Sequence, residues 1–294
     1  MTETVSDDKD AAAFCADLVR SHDFARYAAT IFVSADVRRA LLALYAFNVE
    51  ITRVRDQVTQ ALPGEIRLQW WSDMLAGHAH GSAEGNPVAA ELMQAIRAGD
   101  LPVEVLSRLI EEHQFDLYND PMPTMAALEG YLNDTSSALF ALAAHIAGGP
   151  PSPAVDHLAR HAGLAQGFLR VVAMLPYDAA RRQLFLPLQV LAQHGSDIEM
   201  VFAGKLTPHL RAAADHLLGE ARRHLDTAYN LLAEVPGEVR PAFLLLAVVR
   251  RDLARLSRAD NDPFAPQPPS RLSTLWTLWR ASRSIEMTLP RNRP

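Results

Sequence analysis

Apolar residues recur every three to four positions along most of the chain, which is the spacing that places them on one face of an α-helix. No segment shows the alternation of apolar and polar residues that is typical of a β-strand. The pattern predicts helices over residues 8–20, 22–31, 35–57, 63–78, 86–98, 102–118, 124–147, 152–175, 187–194, 197–202, 206–233, 238–257 and 269–286.

Clusters of glycine and proline separate these helices, since neither residue favours a helix interior. The best candidate for a domain boundary, residues 148–153, fits a turn between helices rather than a linker between domains. The helix over residues 135–146 is apolar on more than one face, which is typical of a central helix in a large bundle. We therefore predict one all-α domain over residues 8–290, preceded by a disordered acidic N-terminus over residues 1–7.

Composition and charge narrow the classes of function. Hydrophobic residues make up 49% of the chain, which indicates a folded protein, and the net charge of −6 disfavours a nucleic-acid partner. The single cysteine, Cys15, excludes an intramolecular disulfide. The acidic N-terminus does not look like a secretory signal, and the longest apolar run, residues 242–249, is too short to span a bilayer. We expect a cytoplasmic protein, or one bound peripherally to a membrane.

The most informative stretch is residues 40–56, which begins apolar and ends in charged residues. Its Leu-Tyr-Ala-Phe segment, followed by a charged turn, resembles the first signature of the squalene/phytoene synthases. Further segments resemble later parts of that family in the same order, and they lie at residues 68–75, 110–117, 131, 163–187 and 250–280. The likeness extends over residues 20–285. It implies the isoprenoid synthase fold, an all-helical bundle with a central cavity for prenyl chains.

The resemblance also implies where the family's chemistry would be placed. These synthases ionise an allylic diphosphate with Mg²⁺ held by two Asp-x-x-x-Asp motifs on facing helices. Carboxylates at i and i+4 share a helix face, so a pair of them can hold one ion. Here the motifs fall on Thr52 and Asp56, and on Met174 and Asp178, so each pair lacks one carboxylate. We predict no cofactor; if the protein is active, Asp56 and Asp178 would be the catalytic and Mg²⁺-binding residues.

The residues that depart from the general family pattern show a second resemblance. Residues 46–50, Leu175-Pro-Tyr177 and Arg181-Arg182 resemble a branch of the family that contains a mitochondrial complex I assembly factor and its bacterial relatives. This resemblance implies a non-catalytic protein that binds a lipid or isoprenoid and aids assembly of respiratory complex I. Its partners would then be complex I subunits, with a peripheral contact on the inner membrane.

Arginines in the two altered motif segments could bind an anionic head group without a metal, because guanidinium groups form paired hydrogen bonds with phosphate. The alternative is that Arg170 pairs with Glu50 or Asp56 in a buried structural network. The residues we predict to contact a prenyl diphosphate or lipid head group are Tyr45, Asn48, Glu50, Arg53, Arg170, Tyr177, Arg181 and Arg182.

Two other functions remain open. The first is an active Mg²⁺-dependent head-to-head prenyltransferase of squalene or phytoene type, in which Glu50 or Asp116 would assist Asp56 and Asp178. The second is a scaffold that binds only proteins and keeps a vestigial cavity.

Two further features have competing interpretations. His157 and His161 lie one helical turn apart, and without a visible third ligand we interpret them as a structural pair and not a metal site. Trp276 and Trp279 lie beside arginines on the last predicted helix, which is typical of a helix in a membrane interface. We predict instead that both rings pack on the bundle, because the last helix of the family closes the domain.

Overall fold

A computed structural model describes residues 3–78, 85–148, 152–267 and 269–284, and no strand occurs among them. The all-α class is therefore confirmed. The α-helices are α1 (Glu3–His22), α2 (Phe24–Ala29), α3 (Ala35–Thr52), α4 (Val54–Gln57), α5 (Ala61–Leu75), α6 (Pro87–Gly99), α7 (Val103–Glu112), α8 (Met125–Leu132), α9 (Ala138–Ile146), α10 (Pro153–Ala180), α11 (Leu188–Gln193), α12 (Ile198–Phe202), α13 (Pro208–Leu231), α14 (Leu246–Leu256) and α15 (Arg271–Ser282).

Polar residues followed by proline begin the two longest helices. The Ser152 hydroxyl accepts a hydrogen bond from the backbone N–H of Val155 at the start of α10, and Thr207 does the same for Leu210 at the start of α13. Such caps satisfy backbone donors that have no partner within the helix. The proline that follows each cap has a backbone angle already suited to the first helical turn.

Several helix boundaries differ from the prediction. Helix α1 begins at Glu3, five residues before the predicted start at residue 8. The predicted helix over residues 35–57 is divided at Arg53 into α3 and α4. The predicted helix over residues 124–147 contains a π-helical turn at Asn133–Ser137, where the spacing of hydrogen bonds widens locally. Such turns are rare in proteins, and those that occur often lie at functional sites.

Helix α10 lies at the centre of the bundle. It packs along α13 and also against α9, α14 and the π-helical turn, while α3 packs against α1 and α6. The largest side chains that are fully buried are aromatic, and they include Phe47, Phe168 and Phe243. Among the described residues, no helix combines the length and apolarity needed to cross a membrane.

Two glycines allow a close approach at the centre of the bundle. A Cβ atom at Gly163 of α10 would lie 2.3 Å from the backbone N and Cα of Ser137, and one at Gly167 would lie 2.4 Å from the side chain of Leu132. Only a residue without a side chain fits at Gly163, because its neighbour there is backbone, whereas the flexible Leu132 side chain at Gly167 can shift. Gly163 therefore sets how closely the π-helical turn lies against α10.

The outer face of α15 is exposed. Side chains of Leu272, Trp276 and Trp279 are 77%, 59% and 42% exposed, whereas Leu278 and Thr274 face the bundle and are buried. The prediction that both tryptophan rings pack on the bundle is therefore wrong, because the core side of the helix carries Leu278 and Thr274 instead.

A histidine pair joins α10 to α13. The Nδ1 atoms of His161 and His224 are 2.9 Å apart, and the His157 ring lies against that of His161 with centroids 5.3 Å apart. The contact requires one ring to donate and the other to accept, so the accepting ring is neutral. Burial lowers the pKa of His161 and lowers that of His224 to about 4, and nearby cationic groups lower both further.

We expect the histidine pair to make the fold less stable in mild acid. Because the pKa of His224 is lower in the folded chain than in the unfolded chain, only the unfolded chain gains a proton between about pH 6.5 and pH 4, so stability falls with pH in that window. His224→Gln should remove about 1 kcal/mol of this pH dependence after allowance for solvent screening. Urea unfolding at pH 7.5 and pH 5 measures the free energy of unfolding of both proteins. If wild type and His224→Gln lose the same stability between the two pH values, His224 is not the group responsible for the pH dependence.

Candidate functional site

A cavity of about 420 Å³ lies between α3, α4, the π-helical turn and α10. This volume is in the usual range for a small-molecule site. Part of its wall is apolar and is formed by Val49, Leu132, Leu139, Val171, Met174 and Phe185. The charged side chains in the wall are those of Asp23, Arg26, Arg53, Arg55, Asp56, Asp116, Arg170, Asp178 and Arg181, with His22 and His113 beside them.

Most of the site residues predicted from the sequence line this cavity. They are Asn48, Arg53, Asp56, Arg170, Tyr177, Asp178 and Arg181. Helices α3, α4 and α10 bring these residues together from distant parts of the chain. Three predicted residues, Tyr45, Glu50 and Arg182, are not part of it.

Each of the three misplaced residues faces elsewhere for a local reason. Tyr45 is buried on the core side of α3, with the Arg26 guanidinium 5.6 Å from its ring centroid. Glu50 is half-buried and contributes to the raised pKa of Cys15 on α1, which places its carboxylate towards α1. Arg182 has a left-handed backbone with φ of 54°, and its guanidinium lies 4.7 Å from the ring centroid of Phe202.

Asp56 is already engaged by protein groups. Its Oδ1 accepts a hydrogen bond of 2.7 Å from the Tyr177 hydroxyl and another from the Arg181 guanidinium, which also donates to the backbone carbonyl of Arg55 at 3.0 Å. Burial disfavours the charged form of Asp56, but the bonds from Tyr177 and Arg181 outweigh it and lower the pKa of this carboxyl. Asp56 is therefore a charged anchor for Arg181.

The residues at the family's metal positions do not fit Mg²⁺. The Thr52 hydroxyl donates within its own helix to the carbonyl oxygens of Asn48, at 2.9 Å, and Val49, at 3.3 Å. Met174 offers only a thioether, which is a poor ligand for a hard cation. Within the part of the chain that the structure describes, no three histidine, cysteine or carboxylate side chains converge on a metal position.

Asp178, the remaining carboxyl of the second motif, is partly protonated at neutral pH. Burial raises its pKa to about 7; Arg170 opposes the shift, and Asp116 adds to it. Five arginines and four aspartates line the cavity, so a half-protonated Asp178 leaves a surplus of positive charge. The wall is thus better suited to an anion than to a second cation.

Two arginines in the wall have guanidinium groups that are not engaged. Arg26 is held by Asp23 and Gln166, and Arg181 is held by Asp56. In contrast, the guanidinium groups of Arg53 and Arg170 make no hydrogen bond or ion pair with any residue that the structure describes. The alternative that Arg170 pairs with Glu50 or Asp56 is therefore not what the structure shows.

A second polar cluster in the wall includes a histidine that the sequence analysis missed. His113 Nδ1 lies 2.7 Å from Asp116 Oδ2, and the Tyr131 hydroxyl donates to Asp116 Oδ1 at 2.8 Å. Burial and the negative charge of Asp116 raise the pKa of Tyr131, so its hydroxyl stays protonated. The sequence pattern that could have identified this pair is the His-x-x-Asp spacing just after α7, because it places both side chains on one face.

Comparisons with known proteins agree with this geometry. A family model described as squalene/phytoene synthase matches residues 19–280. The Mus musculus protein named NADH dehydrogenase (ubiquinone) complex I, assembly factor 6 is 32% identical over 253 residues, which cover 86% of this chain and 76% of the mouse protein. Phytoene synthase from Thermus thermophilus is 27% identical over 210 residues, which cover 70% of this chain and 69% of that enzyme.

The fold is also similar to a solved structure. A dehydrosqualene synthase determined in complex with a ligand superposes with a TM-score of 0.77, over 94% of this chain and 97% of that one. At 14% sequence identity this likeness concerns the fold alone.

Proposed function

Because the chain belongs to the squalene/phytoene synthase family, we propose that it is a non-catalytic member that binds an anionic isoprenoid or lipid and aids assembly of respiratory complex I. The observation that carries the proposal is the engagement of Asp56. In place of a carboxylate partner at i−4, it has Thr52, and its charge is used to hold Arg181. At the position where a synthase would bind magnesium, Asp56 instead accepts hydrogen bonds from protein groups.

The shape and charge of the cavity support a ligand with a charged head and an apolar chain. The guanidinium groups of Arg53 and Arg170 are the groups left to meet a phosphate or diphosphate. The Thr52 hydroxyl and the Asn48 side chain lie on the same wall. Val171 and Phe185 belong to the apolar part of the wall, which would take the chain.

The role in complex I assembly is supported by the names of relatives. Proteins called complex I assembly factor 6, or its homologue, come from rodents, human, cattle, fly and slime mould, and matched segments cover about 85% of this chain. The proposal places the protein at the membrane surface where complex I is built, as a peripheral component.

We expect no turnover of prenyl diphosphates. Pure protein with farnesyl or geranylgeranyl diphosphate, Mg²⁺ and NADPH should release no pyrophosphate above the background rate, because neither family motif keeps both of the carboxylates that would hold the ions that stabilise the leaving group. Mass spectrometry of the protein as purified should find a bound anionic lipid or isoprenoid. Pyrophosphate release with a coupled prenyl product would instead establish a head-to-head prenyltransferase, and a cavity without any ligand would favour a protein-binding scaffold.

Deletion of the gene in its host tests the assembly role. NADH:quinone oxidoreductase activity of the membranes should fall, while succinate dehydrogenase activity, which does not depend on complex I, should stay the same. Rescue should be lost with Arg170→Gln and retained with Arg182→Gln. Normal complex I activity in the deletion strain would contradict the proposal.

A further inference from the structure

Helix α15 presents an apolar stripe that the bundle does not use. Leu272, Trp276 and Trp279 follow one another at i, i+4 and i+7, so they lie on one face of the helix. The two indole rings stack with centroids 4.9 Å apart and an angle of 26° between their planes. The opposite face supplies the core contacts of the helix through Leu278, which is fully buried.

The charges along the same helix have a single sign. Residues 271–284 contain three arginines and no acidic residue, although the whole chain has a net charge of −6. Arg283 lies 5.1 Å from the centroid of the Trp279 ring, and Arg280 is exposed without a hydrogen bond or ion pair from its guanidinium to any described residue. An acidic protein therefore carries a local basic strip along an exposed tryptophan stripe.

The exposed tryptophans and arginines of α15 together are suited to one kind of partner surface. Tryptophan is enriched at the boundary between water and hydrocarbon, where its ring is buried and its N–H remains hydrated. Arginines beside such a stripe are attracted to anionic head groups, each contributing to surface binding within the range of salt screening. We propose that the outer face of α15, formed by Leu272, Trp276, Trp279 and Arg280, docks on an anionic lipid bilayer.

Docking there would bring the cavity close to the bilayer. The Arg271 guanidinium lies 4.8 Å from the ring centroid of Phe24 at the start of α2, and Asp23 and Arg26, on either side of Phe24, belong to the cavity wall. The docking face is thus one helix away from the wall of the site. The inference deepens the proposed function, since a lipid-binding cavity beside a membrane can exchange its ligand there, but the docking itself does not require the cavity to bind anything.

The test is flotation of the full chain with lipid vesicles. Wild-type protein should bind vesicles containing 30% phosphatidylglycerol, bind vesicles of pure phosphatidylcholine far less, and be released at 0.5 M salt. The variant Trp276→Ala with Trp279→Ala should lower the partition coefficient at least ~10-fold, and Arg280→Glu should lower it several-fold. Because these side chains are exposed, the variants should unfold at the wild-type temperature.

A matched control uses another exposed apolar pair. Leu62 and Ile66 on α5 are 64% and 62% exposed, and the variant Leu62→Ala with Ile66→Ala should bind vesicles like wild type. Equal binding by the tryptophan variant and wild type, or loss of binding in the α5 control, would overturn the proposal. If the emission lost in the tryptophan variant, taken as a difference spectrum against wild type, is already at short wavelength before lipid is added and is unchanged by vesicles, the proposal is also overturned, because another segment or a second copy would then cover the face.

The same samples separate this inference from the proposed function. The tryptophan variant should retain wild-type affinity for farnesyl diphosphate, while Arg170→Gln should retain wild-type binding to vesicles. If vesicle binding fails while cavity binding persists, only the docking face is wrong.

Discussion

Replacing Arg170 with glutamine should weaken the binding of farnesyl diphosphate, measured in EDTA, by about 10–100-fold. The guanidinium of Arg170 makes no hydrogen bond or ion pair with a described residue and acts on Asp178 only through its charge, so its N–H groups are available to a ligand. A hydrogen bond from a charged donor to a phosphate contributes about 1.5–3 kcal/mol, which corresponds to this change in affinity. Because Arg170 forms no hydrogen bond or ion pair with a described residue, the variant should unfold close to the wild-type temperature.

The control for this prediction is Arg182→Gln. Both arginines lie in the segment that resembles the family's second signature, yet Arg182 makes a long ion pair with Glu199 of 3.4 Å on the surface. Its removal should leave affinity within about twofold of wild type, since exposed ion pairs contribute little. Equal affinities for wild type and Arg170→Gln would show that the ligand head lies elsewhere, and a loss with Arg182→Gln would show that the assignment of the wall is wrong.

Gly163→Ala should destabilise the fold by about 3 kcal/mol or more. The added methyl would lie 2.3 Å from backbone atoms of Ser137, and a backbone cannot move aside as the end of a flexible side chain can. Relief would require the π-helical turn to move away from α10, and this turn supplies Thr135 and Ser136 to the cavity wall. The variant should therefore also bind the ligand more weakly. Urea unfolding and calorimetry at a temperature where the variant is folded measure the two effects.

Gly219→Ala is the matched control for the glycine prediction. Gly219 lies on an exposed face of α13 with no atom within 4 Å of an added Cβ, so the change should stabilise the helix by about 0.5–1 kcal/mol. A similar stability of Gly163→Ala and wild type would mean that the π-helical turn and α10 are not packed as closely as the structure has them.

Local sequence patterns predicted the helices well because their spacing and their caps are encoded within a few residues. The helical spacing along α3 also predicts that the Glu50 side chain does not line the cavity. It lies two positions from both Asn48 and Thr52, which share one face of α3, so its own side chain points to the opposite face. The resemblance to the family put Glu50 in the site, although the helical period argued against it.

Other features depend on contacts that sequence spacing does not contain. His224 meets His161 across 63 positions of sequence through the packing of α13 on α10. The direction of Arg182 depends on a left-handed backbone at the end of α10, which a residue other than glycine adopts only when its surroundings hold it there. The amphipathic pattern of α15 shows two faces, but only the packed bundle determines that the face with Trp276 is the exposed one.

The central claim is that protein cations, and not magnesium, receive the anionic head in this cavity. Isothermal titration calorimetry with farnesyl thiodiphosphate, a slowly reacting analogue, tests it directly when the titration is run in EDTA and again in excess Mg²⁺. Affinity should agree within about twofold between the two conditions, since neither Thr52 nor Met174 can complete a metal site. Tight binding in Mg²⁺ that disappears in EDTA would contradict the account.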